Sequence, residues 1–155
     1  KIRIERLDSH HRREHFDCGN PTLNEFLHKQ AGQQQRKGFG KTYVALADNG
    51  IDVIGYLTLS AGQVVSQSLP QPPSLPHHPA PILRIGRLAV AQHLLSFALK
   101  IALEFSETVG LYAVAIDAKD TRAADFYRQL GFSATLDNPL CLFLPISHLQ
   151  MARKP

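Results

Sequence analysis

The chain is poor in cysteine and has no long uninterrupted apolar run. Two cysteines, Cys18 and Cys141, in 155 residues exclude a disulfide-dense secreted scaffold and favour reduced thiols in a cytoplasmic protein. The best apolar stretch, residues 94–105, is interrupted by Lys100 and Glu104 and is too short to cross a bilayer. We therefore expect no membrane segment, and also no secretory signal, internal repeat or disordered tract.

The apolar content that is present suffices for one ordinary core. At 155 residues with 44% hydrophobic content, a single domain over residues 1–155 can bury a core of normal size. A formal net charge of +4 and a pI of about 9.3 give a mild bias towards nucleotides, nucleic acid or an acidic protein. Ordinary surface chemistry explains this charge equally well, so charge alone assigns no function.

Residue spacing predicts a mixed α/β (α+β) chain with helices packed on a largely β middle. Asn20 is placed to cap a helix whose first position is Pro21, and a second helix is predicted over residues 92–109. A proline-rich irregular crossing is expected over residues 69–81. The predicted strands cover residues 2–7, 41–47, 53–59, 82–90, 111–117 and 140–146.

A third, short helix carries the most informative residues. Asp120 is a good N-cap, and Gly131 lies where a left-handed residue ends a helix. Phe126 and Leu130 are four apart and are predicted to share the buried face. Tyr127 lies near the border of that face, where its hydroxyl can remain in a cleft as a proton donor. The alternative for Tyr127 is a helix-edge tyrosine that only packs.

The junction between the strand ending at Val90 and the helix containing His93 is unusually short. Only Ala91 and Gln92 separate them, whereas such turns normally need about two to six residues with glycine or cap chemistry. Either the junction is natively abrupt, or residues of the protein are missing from the chain as numbered.

These segments together resemble the GNAT acetyltransferase family over nearly the whole chain. The specific parts are IGRLAV at 85–90, AKD at 118–120 and AADFYRQLGF at 123–132. FDCGNPTLNEFL at 16–27 and GYLTLSAG at 55–62 are similar to the GNAT toxins of type II toxin–antitoxin systems. The resemblance implies a mixed, mostly antiparallel sheet that is flanked by helices and splayed at the cofactor site.

The resemblance also implies an acetyl-CoA-dependent N-acetyltransferase in which Tyr127 protonates the departing sulfur. For three of the implied cofactor contacts a plainer role competes: Asp120 as an N-cap, Phe126 as core and Arg128 as a solvated cation. The implied cofactor-binding residues are Leu88, Ala89, Val90, Asp120, Phe126 and Arg128.

The toxin subgroup acetylates the α-amine of aminoacyl-tRNA and blocks translation, so the resemblance implies that substrate. It also implies a ribbon-helix-helix antitoxin and a homodimer. A tRNA substrate needs a basic face, although each candidate has a solvated surface as its alternative. The candidates are Arg87, the best placed, and Arg84, Lys29, Arg36, Lys37 and Lys41. No metal is expected, because the spacing of His10, His11, His77 and His78 matches no zinc site.

The chain departs from the family at the loop that matters most. Family members carry a glycine-rich segment between the Leu-Ala-Val strand and the next helix, and its N–H groups hold the pyrophosphate of coenzyme A. Our leading hypothesis is that about eight or nine such residues exist in the protein, which an intact-mass measurement would decide. If the loop is truly deleted, cofactor binding should be weak and a non-catalytic GNAT-like binding protein becomes an alternative. A GNAT acting on a small amine or a protein N-terminus is the other alternative.

Overall fold

The computed structural model describes residues 2–65, 68–69, 79–89 and 92–153. A π-helical segment, Phe26–Gln30, lies between the first two helices. The strands are β1 Arg3–Arg6, β2 Lys41–Leu46, β3 Val53–Val64, β4 Ala80–Ala89, β5 Ala113–Asp117, β6 Ser133–Ala134 and β7 Cys141–Pro145. The helices are α1 Pro21–Glu25, α2 Ala31–Arg36, α3 Gln92–Ser106, α4 Thr121–Gln129 and α5 Ile146–Arg153.

The seven strands are hydrogen-bonded in the order β1-β2-β3-β4-β5-β7-β6. β1–β2, β2–β3, β5–β7 and β6–β7 are antiparallel, whereas β4 and β5 are parallel. The predicted fold class, a mixed and mostly antiparallel sheet with helices, is therefore confirmed.

The chain divides into two compact units. The first comprises residues 1–60 and 86–98, and the second comprises residues 61–85 and 99–155. The core of the first unit is built from β2, β3, the first helical region and residues that follow β1, and its buried members include Leu7, Phe16, Phe26, Leu27, Val44, Leu46 and Tyr56. The core of the second unit includes Leu69, Ala80, Ile82, Ala113, Ala115 and Phe143.

The first helical region begins as predicted but is not one regular helix. The side chain of Asn20 accepts hydrogen bonds from the N–H groups of Thr22 and Leu23, and Pro21 needs no donor at the first position. The π-helical segment follows, and within it the carbonyl oxygen of Leu27 accepts from Nη1 of Arg13 at 3.2 Å. The local spacing gave no sign of this interruption. π-helical turns are rare and occur frequently at functional sites.

Several element boundaries differ from the prediction. β3 continues to Val64, α3 ends at Ser106, and the N–H of Val109 closes a further turn on Phe105. The prediction omitted β6 and α5, which are short elements placed by pairing with and packing on β7. Most of the proline-rich crossing lies outside the described residues, although Ala80 and Pro81 already belong to β4.

The abrupt junction also falls outside the described part of the chain. β4 ends at Ala89 and α3 begins at Gln92, and the intervening Val90 and Ala91 are not described. The hypothesis of missing loop residues therefore stays a prediction.

Two further expectations concern the thiols and the membrane. Cys18 and Cys141 are both free and half-buried. Among the described helices, none has the length and apolar character needed to span a membrane.

Candidate active site

In the second unit, α4 holds Tyr127 in a fixed position. Asp120 caps the helix by accepting from the N–H of Ala123 at 2.8 Å, and Gly131 ends it with a φ of 105°, as predicted. The Tyr127 ring is 7% exposed and meets Phe126 edge-on with centroids 5.6 Å apart, and Phe132 at 6.1 Å. Aromatic packing on two sides thus fixes the direction of the phenol.

The hydroxyl of Tyr127 is the chemically free part of this side chain. It has no hydrogen-bond partner among the described residues. In that part of the chain, every buried side-chain oxygen or nitrogen has such a partner. The hydroxyl oxygen therefore reaches the accessible surface although the ring is buried. Burial raises the pKa of Tyr127, so the group keeps its proton at neutral pH and can donate it.

The predicted buried face of α4 is wrong. Leu130 is 50% exposed and Phe126 is only half-buried, whereas Ala124 and Tyr127 are buried. The helix is short, and Leu130 is already its C-cap, outside the turn that packs on the sheet. The positive φ of Gly131 then reverses the chain and brings Phe132 into the core.

The two charged cofactor candidates on α4 have structural partners. One carboxylate oxygen of Asp120 accepts the hydrogen bond that caps the helix. Arg128 forms an ion pair with Asp125 at 2.6 Å and donates to the carbonyl oxygen of Pro139 at 3.4 Å. These contacts fit the plainer role that the sequence left open for each residue.

In the first unit, the end of β4 has no pairing partner on its β5 side. Its parallel register with β5 covers only the four pairs from Ile82 and Ala113 to Ile85 and Ile116. β4 continues to Ala89, so the described residues 86–89 form no pair with β5. Leu88 is half-buried and Ala89 is buried, and Val90 lies outside the described residues.

Arg87, in the segment of β4 that has no partner on β5, lies on an aromatic stack. Its Cζ is 3.8 Å from the centroid of the Phe26 ring, and the Phe26 ring is stacked on Tyr56 with centroids 6.2 Å apart. Tyr56 is fully buried and donates to the carbonyl oxygen of Leu23 at 2.8 Å. In the described part of the chain Arg87 has no carboxylate partner. Its guanidinium is thus positioned by the aromatic ring and remains available to an anion.

The other basic candidates fall into two groups. Arg84 is paired with Asp117 at 2.7 Å, and Lys29 lies 4.0 Å from Glu25, so both already have acidic neighbours. A second group lies at the C-terminal end of α2 and just beyond it, is exposed and has no ion pair among the described residues. Its members are Arg36, Lys37 and Lys41.

A histidine cluster outside this site has the spacing of metal ligands. Ligand atoms of Glu5, His10 and His11 all lie within 4.8 Å of one another. However, Nδ1 of the buried His11 accepts from the N–H of Asp8 at 2.9 Å, so the ring proton is on Nε2, which donates to Glu5 at 2.9 Å. A metal on Nε2 would require a fully deprotonated ring. We therefore interpret the cluster as a structural contact of the turn.

Two features, each within its own unit, fit chemistry at the thioester end of acetyl-CoA. In the second unit the unpartnered hydroxyl of Tyr127 can donate a proton, and in the first unit residues 86–89 have no pairing partner on β5. The sequence offers no glycine between Ala89 and Gln92, so no described residue is assigned to the pyrophosphate.

The fold and this site define the class, since the chain has the fold of the GNAT N-acetyltransferases. Solved structures of similar proteins carry the same fold, and the expected resemblance to GNAT toxins is confirmed. AtaT complexed with acetyl-methionyl-tRNAfMet matches with a TM-score of 0.91 and 26% identity over 99% of this chain and 100% of that one. AtaTR bound with AcCoA matches with a TM-score of 0.85 and 26% identity over 99% and 98%. The AtaT-AtaR complex bound to DNA matches with a TM-score of 0.76 and 26% identity over 98% of this chain and 99% of that one.

Curated relatives point to the same group. A tRNA-acetylating toxin of Mycobacterium tuberculosis is 28% identical over 140 residues, which are 83% of this chain and 82% of that protein. A probable toxin, TacT, of Sinorhizobium fredii is 26% identical over 95% of this chain and 92% of that protein. The latter alignment extends over 167 positions, so it contains gaps in this chain. No protein-family model matches the chain.

Proposed function

We propose that the chain is an acetyl-CoA-dependent N-acetyltransferase toxin that acetylates the α-amine of aminoacyl-tRNA and thereby blocks translation. The observation that carries the chemistry is the surface-reaching, unpartnered hydroxyl of Tyr127 on a buried ring. The substrate is supported by the similarity to proteins described as tRNA-acetylating toxins and as complexed with acetyl-methionyl-tRNA.

The chain's residues divide the work of an acetyl transfer. When bound, acetyl-CoA supplies the acetyl group as a thioester. Leu88, Ala89 and Val90 would hold the pantetheine arm through backbone groups, and an N–H there can polarise a carbonyl oxygen. Tyr127 acts as the general acid, because its raised pKa keeps it protonated where a leaving thiolate accepts a proton. Phe126 holds the Tyr127 ring from its edge.

The acceptor amine needs little help from the protein. A free α-amine has a reference pKa of about 7.7 to 8.0, so a large fraction is neutral near physiological pH. Arg87 is positioned to hold an anionic part of the substrate, because its guanidinium lies on Phe26 without a carboxylate partner.

The test is acetylation of charged tRNA with radiolabelled acetyl-CoA. We expect label to appear on the aminoacyl group. We expect Tyr127→Phe to retain the melting temperature while kcat falls about 10²- to 10⁴-fold, the usual contribution of a general acid. Full activity of this variant would remove Tyr127 from the mechanism. Acetylation of small amines or peptide N-termini without acetylation of charged tRNA would favour the other enzyme alternative.

One observation favours a non-catalytic GNAT-like binding protein as the second candidate. Only Val90 and Ala91 separate β4 from α3, and neither offers the glycine that phosphate binding favours. Isothermal titration with coenzyme A separates the two functions, since this candidate predicts no binding and no transfer to any amine.

The proposed partners follow from the resemblance to GNAT toxins. We propose an antitoxin of the ribbon-helix-helix type, a homodimer and a cytoplasmic site of action. The AtaT-AtaR complex bound to DNA supports an antitoxin in general. Sequencing the neighbouring open reading frame and measuring the mass of the particle in solution test the first two.

A further inference from the structure

Two arginines of the first unit meet without a carboxylate between them. Arg36 Nη1 and Arg13 Nη2 lie 3.2 and 3.5 Å from the point where a β-carbon on Gly32 would lie. Neither side chain has an ion-pair partner in the described part of the chain. Like charges that approach the same point repel each other, and Gly32 leaves open the space beside which both lie. An oxyanion bound between two guanidiniums offsets such repulsion.

An exposed aromatic ring, that of Phe39, lies just beyond α2, the helix that contains Gly32 and Arg36. Phe39 is 69% exposed, which is the highest value among the described large apolar side chains. The left-handed Gly38, with a φ of 79°, and the N–H groups of Gly38 and Phe39 close the loop on the last turn of α2. The side chain of Gln35 connects the loop to the rest of the unit. It donates to the carbonyl oxygen of Leu7 and accepts from the N–H of Thr42, each at 2.9 Å. The ring is therefore presented to solvent on a fixed loop.

Two exposed lysines lie two positions before and after Phe39 in the sequence. Lys37 and Lys41 are exposed and form no ion pair among the described residues. We call Arg13, Arg36, Lys37, Phe39 and Lys41 the basic–aromatic surface. Paired guanidiniums, further lysines and one exposed ring are the combination that holds phosphates and stacks an unpaired base.

We propose that the basic–aromatic surface binds the RNA substrate, with the cations on its phosphates and Phe39 stacked on an unpaired base. The proposal rests on the proposed function for the identity of the RNA. It adds a contact that uses none of the residues assigned to acetyl transfer. An apolar protein partner is disfavoured because residues 36–41 carry three cations and no acidic residue.

The experiment measures binding of uncharged tRNA by filter retention at several salt concentrations. We expect Phe39→Ala to weaken binding between about five- and a hundredfold, which is the range for loss of one base–aromatic stack, and Phe39→Trp to restore it. Arg36→Ala with Lys37→Ala should lower the slope of log K against log salt by about 1 to 2 units. The matched controls are Leu136→Ala, at a residue with 67% exposure, and Lys100→Ala, and both should bind like the wild type.

Kinetics with two acceptors locate the effect. For charged tRNA, Phe39→Ala should raise KM and leave kcat unchanged. For an aminoacylated trinucleotide, too short to reach the surface, neither constant should change. Unchanged tRNA binding by Phe39→Ala and by the double variant overturns the proposal. So does a change in the oligomeric state of Phe39→Ala, measured by light scattering, with RNA binding intact. Wild-type protein that binds tRNA through Phe39 but acetylates no charged tRNA refutes the proposed function and supports the surface.

Discussion

At the scale of single residues, polar side chains are predictable where their partner is local. Asp120 and Asn20 were both predicted as N-caps, and both cap their helices. Each hydrogen bond joins residues two or three positions apart, so the sequence contains the whole interaction.

Replacing Asp120 tests the cost of that cap. We expect Asp120→Ala to lower the free energy of unfolding by about 0.5 to 2 kcal/mol, because the N–H of Ala123 loses its acceptor. Asp125→Ala is the control. It removes only the exposed pair with Arg128 and should cost less than about 1 kcal/mol. Urea titration measures both, and equal losses would contradict the assignment of Asp120 as the cap.

Burial along α4 was not predictable in the same way. Four-residue spacing gave Phe126 and Leu130 as the buried pair, but the sheet packs against Ala124 and Tyr127. Spacing fixes which residues share a face and not which face meets a neighbour. Phe39 was also missed, although its position between two glycines and next to Lys37 and Lys41 was a visible signal.

At the scale of elements, glycine positions decided where helices and turns end. Gly131, Gly50 and Gly38 all have positive φ, at 105°, 72° and 79°, and Gly131 was predicted to end its helix. The helix predicted over residues 92–109 would have ended beside Gly110, but α3 ends earlier, at Ser106, and Gly110 does not have a left-handed φ.

Gly131 and Gly110 provide a matched pair of substitutions. Gly131→Ala should destabilise the fold by about 1 to 2 kcal/mol, since a β-carbon is strained at positive φ. Gly110→Ala meets no atom within 4 Å and should be neutral or stabilising by about 0.4 to 1 kcal/mol through the unfolded chain. Thermal unfolding compares them. A Gly110→Ala loss as large as that of Gly131→Ala would contradict the backbone assignment.

The π-helical segment shows the limit of prediction at this scale. The sequence predicted one helix that begins at Pro21, and Leu23, Phe26 and Leu27 within it are all at least half-buried. The extra residue per turn is not encoded in the apolar spacing. The Arg13 contact with the Leu27 carbonyl and the stacking of Phe26 on Tyr56 are the tertiary contacts made there.

At the scale of the whole molecule, each unit contains one buried tyrosine with a raised pKa. Desolvation by burial raises the pKa of Tyr56 far above its ordinary value of 10.0, and it also raises the pKa of Tyr127. The folded state thus keeps protons that the unfolded state loses first. Their contribution to stability is complete below pH about 10 and is lost as the pH rises through the folded-state values.

We therefore expect the free energy of unfolding to fall steeply above pH 10, the reference value of both groups. The free energy of unfolding of the double variant Tyr56→Phe, Tyr127→Phe should fall less steeply. At neutral pH it should be lower than that of the wild type by about 1 kcal/mol, because the hydrogen bond from Tyr56 to Leu23 is lost. Guanidinium titrations between neutral pH and the alkaline range provide the curves. Parallel curves for the wild type and the double variant would show that other groups dominate the alkaline transition.

The sequence by itself determined the order of the longer elements, the two helix caps, the glycine that ends α4 and the resemblance to the GNAT toxins, because each depends on residues close together in the chain. Tertiary structure alone decided which face of α4 is buried, that Arg87 lies on Phe26, and that Arg13 and Arg36 converge on Gly32. The reason is physical. Local hydrogen bonds and backbone strain are set by neighbours in sequence, whereas burial and charge proximity depend on surfaces that only the folded chain brings together.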